Sequence, residues 1–140
     1  SRTSVVGASS AVSVFESRKN GVTVACLESD QLKFSGARPP TGPPCKATQY
    51  YKTLFPSGVS ESYIAGEVAN LLAEVRDRTA PPSTLVVMQG DKLKIQGYIY
   101  LKGKKVKIEV YSSTDFRINT FYPLLSEDNS EYSSLKQGSL

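Results

Sequence analysis

Hydrophobic and polar residues alternate along two stretches of the chain, and this alternation predicts β-strands. In 92–102 the apolar positions are Leu93, Ile95, Ile99 and Leu101, and the positions between them carry lysine, glutamine and tyrosine. The pattern returns in 105–111, where the apolar positions are Val106, Ile108 and Val110. Because successive side chains of a strand point to opposite faces, the pattern indicates a hairpin with one buried and one solvated face.

A longer period, near 3.6 residues, runs through 60–78. Its apolar positions form one stripe of a helix and comprise Ile64, Val68, Leu71, Leu72 and Val75. Ser60 is a favourable N-cap residue, and Pro81 with Pro82 ends the helical pattern on the other side. The sequence therefore predicts one amphipathic helix at 60–78 that covers a sheet.

The remaining strand signals are shorter. Segments 12–15 and 22–27 flank Asn20-Gly21, a pair that tolerates positive φ and marks a hairpin turn. Further strands are expected at 32–34, 84–88 and 116–122. Together these elements predict an α+β fold, with a mostly antiparallel sheet of about six to seven strands and one helix. A small β-sandwich or jelly roll is the alternative, since this many strands could also close into two sheets.

We expect 1–140 to be a single domain, because 140 residues are a common domain size. Three segments look peripheral to it. The small polar residues of 1–10 suggest an N-terminal arm, and 123–140 reads as a polar, acidic tail. Segment 36–48 holds four prolines, which remove backbone donors, so it should form a loop outside any ladder.

Composition sets the class of the protein. Hydrophobic residues make up 39% and charged residues 21%, as in folded domains, and no apolar run is long enough to span a bilayer. The chain has no N-x-[ST] sequon, and its first residues lack an apolar leader. We therefore expect an intracellular (cytoplasmic) or virion location and no membrane partner. Cys26 is expected to be a buried apolar residue, with its pairing to Cys45 left open.

The sequence lacks the residues of common catalytic sites. It contains no histidine, which removes the commonest general base and metal ligand. No C-x-x-C pair, phosphate-binding glycine loop or calcium-binding loop is present, and the acidic residues are scattered outside the tail. These observations predict a protein that is not an enzyme, with no cofactor, no metal and no small-molecule substrate.

A basic, tyrosine-bearing strand face is the best functional signal. The net charge is +4, and six lysines in 91–107 stand against one acid, Asp91. Lysines neutralise phosphates and tyrosines stack on bases, so the face suits nucleic acid, with RNA favoured over DNA. The predicted contact residues are Arg18, Lys19, Lys92, Lys94, Tyr98, Tyr100, Lys102, Lys105 and Lys107. The alternative is an ordinary solvated sheet, since lysine and tyrosine are both common there.

Small residues on the helix suggest a contact between subunits. Ala65, Gly66, Ala69 and Ala73 flank the apolar stripe and would let another helix approach closely. Alanine is also the best helix former, which explains most of this pattern without any partner. The expected function is a self-assembling, nucleic-acid-binding structural protein, such as a coat or nucleoprotein subunit. The alternative is a protein-interaction subunit of a larger cellular complex without nucleic acid.

Overall fold

The computed structural model describes residues 13–28, 37–40, 44–125 and, for the backbone alone, 135–137. These residues divide into two compact units. One unit is Gly58–Leu124, and the other combines the described residues up to Ser57 with Leu125 and Leu135–Gln137. Each unit contains one antiparallel sheet of four strands.

The unit Gly58–Leu124 holds four consecutive strands in the order of the chain, β4-β5-β6-β7. Their bounds are Leu85–Gln89 (β4), Lys92–Leu101 (β5), Lys104–Ser113 (β6) and Ile118–Leu124 (β7). Two-residue turns close the first two hairpins. Lys102 and Gly103 both have positive φ (53° and 77°), as the tight turn between twisted strands requires. The register is offset once, by an irregularity between Tyr111 and Ser112.

The single helix of the described residues, α1, spans Glu61–Asp77. The Ser60 side chain accepts a hydrogen bond from the Tyr63 backbone N–H at 3.1 Å and caps the first turn. At the other end Arg78 takes a left-handed conformation (φ 62°), and its N–H bonds to the carbonyls of the last turn. The helix thus ends before the two prolines, through its own cap. The predicted helix at 60–78 is confirmed.

Helix α1 packs on the apolar face of its sheet. Its buried residues are Ile64, Val68, Leu71 and Leu72, the predicted stripe apart from Val75, which is half-buried. Gly97 of β5 makes room for it, because a Cβ at Gly97 would lie 2.9 Å from Cδ2 of Leu71. Leu93, Ile95, Ile99 and Leu101 are buried on the same face. The predicted register of β5 is therefore confirmed.

The second unit holds a sheet in the order β3-β2-β1-β8. Its strands are Ser13–Ser17 (β1), Thr23–Leu27 (β2), Tyr50–Leu54 (β3) and Leu135–Gln137 (β8). A longer loop, rather than a two-residue turn, joins β1 to β2. In that loop Gly21 has φ 77°, and Asn20 accepts a hydrogen bond from the Val22 N–H through its side chain. The predicted N-terminal hairpin is thus present.

A disulfide joins Cys26 of β2 to Cys45, with the two Cα atoms 5.6 Å apart. Cys26 is fully buried, as expected, and the disulfide answers the question of its pairing, which the sequence left open. Val24 lies with the bridge in a small core that Phe15, Tyr51 and Leu125 cover. Folding brings the two cysteines together from positions 19 residues apart, and no spacing motif in the sequence predicts that pairing.

Several predicted segments differ in the structure. The proline-rich loop takes part in pairing through Arg38, which precedes its prolines and exchanges backbone hydrogen bonds of 3.0 and 2.6 Å with Tyr51. Strand β7 continues to Leu124, and its Pro123 is buried, so the tail begins later than 123. Within the tail, Leu135–Gln137 pairs with β1. The predicted arm at 1–10, the strand at 32–34 and the acidic residues of the tail lie outside the described residues.

The described strands and helix confirm the α+β fold class. The structure combines features of both predicted arrangements, since it has one helix on an antiparallel sheet but also a second sheet. Antiparallel pairing holds throughout, but the strands are divided between two sheets. β3 was not predicted, since its sequence, Tyr-Tyr-Lys-Thr-Leu, carries a lysine at a buried position. Whether the two units form one domain, as expected from the chain length, stays a prediction.

Candidate nucleic-acid interface

Strands β5 and β6 form a hairpin of two ten-residue strands with one face turned away from the helix. We call this surface the lysine-tyrosine face. Directly paired residues on it are Lys92 with Ser113, Lys94 with Tyr111, Gln96 with Glu109, Tyr98 with Lys107, and Tyr100 with Lys105. The sequence prediction that these lysines and tyrosines share one side of the sheet is confirmed, because side chains of paired strand residues lie on the same face.

The lysines of the face differ in accessibility. Lys92 and Lys105 are exposed, whereas Lys94 and Lys107 are half-buried. Lys92 and Lys105 lie near opposite ends of the hairpin, about 26 Å apart for eight residues at ~3.3 Å per residue. Lys102 lies in the turn beyond the face, with its Nζ next to Gly58. The basic charge is therefore concentrated at the two ends of the hairpin.

The two tyrosines of β5 have different surroundings. Tyr100 is 55% exposed and offers a ring to solvent. Tyr98 is half-buried, and the Lys105 ammonium lies over its ring, 4.3 Å from the centroid. This cation–π contact occupies one face of the Tyr98 ring and holds the Lys105 side chain near the strand. Tyr100 is thus the better stacking candidate of the pair.

A buried carboxylate lies in the middle of the lysine-tyrosine face. Glu109 is 4% exposed and accepts hydrogen bonds from Gln96 Nε2, at 2.9 Å, and from the Tyr122 hydroxyl. The Lys94 ammonium lies 3.7 Å from the same carboxylate. These residues come from three neighbouring strands, β5, β6 and β7. Their hydrogen bonds and the nearby ammonium group stabilise the Glu109 carboxylate, which would otherwise be costly to bury.

The Glu109 cluster changes the expected role of Lys94. Its ammonium compensates a buried acid, so it is less available to a phosphate than Lys92 or Lys105. The alternation of β6 already places Glu109 beside the lysines, but its hydrogen bond from Tyr122 of β7 is visible only in the structure. Within the described residues, neither Lys92 nor Lys107 has an acidic partner.

The other predicted contact residues are in different places. Arg18 and Lys19 are exposed in the β1–β2 loop, in the other unit, and their part in binding stays a prediction. On α1, the predicted subunit-contact residues Ala65, Gly66 and Ala69 are exposed and Ala73 is half-buried. The helix buries its leucine and valine stripe instead, which leaves this small-residue side open. No observation tests it as a contact.

Among the described residues, no three histidine, cysteine, aspartate or glutamate side chains are grouped closely enough to hold a metal ion. No described helix is both long and apolar enough to cross a membrane. Comparison of the chain with protein-family models, with curated proteins and with solved structures gives no match.

Proposed function

We propose that the protein is a non-enzymatic structural protein that binds single-stranded nucleic acid through the lysine-tyrosine face and self-assembles, as a coat or nucleoprotein subunit does. The observation that carries the proposal is the exposure of Tyr100 beside Lys105 on the strand face opposite α1. Such a combination of cations and an accessible ring suits a phosphate chain with unstacked bases. RNA is the favoured ligand.

The arrangement supports a particular mode of binding. Phosphates are drawn to Lys92 at one end of the hairpin and to Lys105 and Lys107 at the other. The Glu109 carboxylate discourages a phosphate from the middle of the face. Tyr100 pairs with Lys105 close to the β5–β6 turn, so its exposed ring offers base stacking at the basic end itself. Because lysine contacts phosphate as a point charge, the binding carries little sequence preference.

The disulfide bears on the proposed location. Disulfides persist at virion surfaces and in oxidising compartments and are rare in the reducing cytoplasm. Of the two expected locations, the Cys26–Cys45 bridge favours the virion.

Fluorescence anisotropy with labelled oligouridine and oligothymidine tests the proposal. With Lys92, Lys105 and Lys107 each meeting one phosphate, the slope of log affinity against log salt should be about −2, from ~0.7 per contact on single strands. Lys105→Ala should make this slope shallower by about 0.7. Lys104→Ala is the matched control, because Lys104 is one residue away, is also exposed, and pairs with Leu101 on the helix side of the sheet.

The stacking contact has its own matched pair of variants. Tyr100→Ala should weaken binding by about 1–3 kcal/mol, the usual loss for a stacked base. Tyr63 of α1 is 52% exposed, close to the 55% of Tyr100, so Tyr63→Ala controls for the loss of an exposed ring. Absence of binding to either oligonucleotide at low salt would refute the proposal. The protein-interaction subunit without nucleic acid would then be the better explanation.

A further inference from the structure

Strand β4 is an exposed apolar edge of its sheet. All five of its residues are exposed, including four consecutive large apolar side chains, Leu85 (51%), Val86 (44%), Val87 (43%) and Met88 (58%). On one side β4 pairs with β5, and it is the first strand in the sheet order, so no strand of the described residues lies beside its other side. Natural proteins usually protect such an edge with charge, proline or a bulge.

The opposite edge of the same sheet carries those protections. Strand β7 contains Pro123, and an irregularity interrupts its register with β6 between Tyr111 and Ser112. By contrast β4, Leu-Val-Val-Met-Gln, contains no charge, no proline and no irregularity in its five-residue register with β5. The contrast between the two edges indicates that β4 is kept open for another strand.

Hydrogen-bond parity identifies the free backbone groups of β4. The two-residue turn at Gly90 and Asp91 makes Gln89 and Lys92 the closing pair, so Gln89, Val87 and Leu85 direct their N–H and C=O groups toward β5. The β5–β6 turn gives the same parity, because Leu101 and Lys104 close it and the even-numbered residues of β5 then face β4. Val86 and Met88 therefore direct both groups to the open edge.

These free groups are complementary to a second copy of themselves. In an antiparallel pair centred on a two-fold axis at Val87, Val86 of one copy lies opposite Met88 of the other. Each of these two pairs exchanges both N–H···O=C bonds, and the two Val87 side chains meet at the axis. Because β4 carries no charge, no like charges oppose each other across the pair.

We propose that β4 pairs edge to edge with β4 of a second copy of this chain, which forms a continuous eight-stranded sheet. The exposed apolar surface of one β4 is on the order of 300 Å², less than the ~800 Å² per partner of a standard interface. The dimer is therefore weak and depends on concentration unless neighbouring surface joins the contact.

The proposal also specifies where the two lysine-tyrosine faces lie, and this part rests on the proposed function. A two-fold axis perpendicular to the sheet keeps both faces on the same side, so one polynucleotide can contact both copies. The nearest lysines, Lys94 of each copy, are three strand spacings apart, about 14 Å at ~4.8 Å each. This exceeds the Debye length of roughly 10 Å at moderate salt, so their repulsion is largely screened.

Light scattering of the protein without nucleic acid tests the dimer independently of the proposed function. Across micromolar to near-millimolar concentrations, the wild-type mass should rise from 15.2 kDa toward twice that value. Val87→Glu and Val87→Lys should each stay monomeric alone, because like charges then meet at the axis. Their equimolar mixture should regain the mass of the dimer. Asn119→Glu, an exposed position on the opposite edge strand, is the control and should behave as wild type.

Hydrogen exchange supplies a second measurement that needs no variant. The Val86 and Met88 amides should exchange fast in dilute protein and slow down as the dimer forms, whereas the Val87 amide is protected throughout. A wild-type mass of 15.2 kDa at every concentration would overturn the proposal and leave a strand of a different protein as the occupant. Unchanged association of both Val87 variants, or failure of the mixture to dimerise, would overturn it as well.

Discussion

The contact between Gly97 and Leu71 joins α1 to β5, and a double-mutant cycle can measure it. A Cβ at Gly97 would lie 2.9 and 3.5 Å from the two Cδ atoms of Leu71 and 3.7 Å from Cγ2 of Thr84. Leu71 is 4% exposed, so its side chain has little room to move away. Gly97→Ala should therefore destabilise the protein by about 1–2 kcal/mol through overpacking.

The second arm of the cycle removes the leucine. Leu71→Ala should cost about 2–5 kcal/mol, the usual range for a core cavity. In the double variant, the methyl group introduced by Gly97→Ala enters the space that the leucine side chain leaves. The loss should then be about 1–2 kcal/mol smaller than the sum of the two single losses, as expected for residues in contact.

Urea denaturation followed by circular dichroism gives the free energies of unfolding for the four proteins. Leu72→Ala provides the matched control, since Leu72 is equally buried at 5% on the same helix but is not among the nearest neighbours of Gly97. Combined with Gly97→Ala, it should be additive. If the Leu71 cycle is additive to within ~0.4 kcal/mol, the two residues do not touch in solution. The packing of α1 on β5 would then be wrong.

Two further predictions concern the other unit. The Cys26–Cys45 bridge closes a loop of 19 residues, so Cys26→Ala with Cys45→Ala should lower the free energy of unfolding by about 3 kcal/mol. Urea denaturation measures this loss. A thiol titration that finds free cysteine in the unreduced wild type would contradict the bridge. Burial lowers the pKa of Lys52 below its ordinary value of 10.5, so the unfolded chain binds more protons than the native protein between the two pKa values. The free energy of unfolding of the wild type should accordingly increase as pH rises through that window toward 10.5. Urea denaturation of wild type and Lys52→Met at several alkaline pH values should show the difference between their free energies of unfolding changing with pH. A difference that does not change would mean that Lys52 is as hydrated in the native protein as in the unfolded chain.

The local elements of the protein follow from its sequence. In the β5–β6 hairpin, alternation of apolar and polar residues is enough to assign each side chain to a face, because the period of a strand is two. The helix can also be predicted from the sequence, because its apolar stripe, its Ser60 cap and its two ends all depend on residues within one or two turns. The shared face of the lysines and tyrosines is thus a property of the sequence itself.

The environment of those side chains depends on residues that are remote in the chain. Glu109 is acidic and sits in a solvated pattern, yet Gln96 and Tyr122, both 13 residues away, help to bury it. Glu109 in turn engages Lys94, whereas Lys92 and Lys105 stay exposed. Lys52 shows the opposite case, a charged residue at a buried position. Because it breaks the apolar–polar alternation of β3, the pattern of the sequence does not predict that strand.

Strand β4 and the cysteines show what only the tertiary structure decides. Leu85, Val86, Val87 and Met88 have the composition of a core strand, but a strand is buried only when something packs over and beside it, and β4 lies at the edge of its sheet. Likewise, Cys26 and Cys45 could each be an isolated apolar residue until β2 and the proline-rich segment bring them together. Local pattern determines the faces of strands and the ends of helices, because both depend on near neighbours. Burial, pairing and open edges depend on long-range contacts, which residue order alone does not determine.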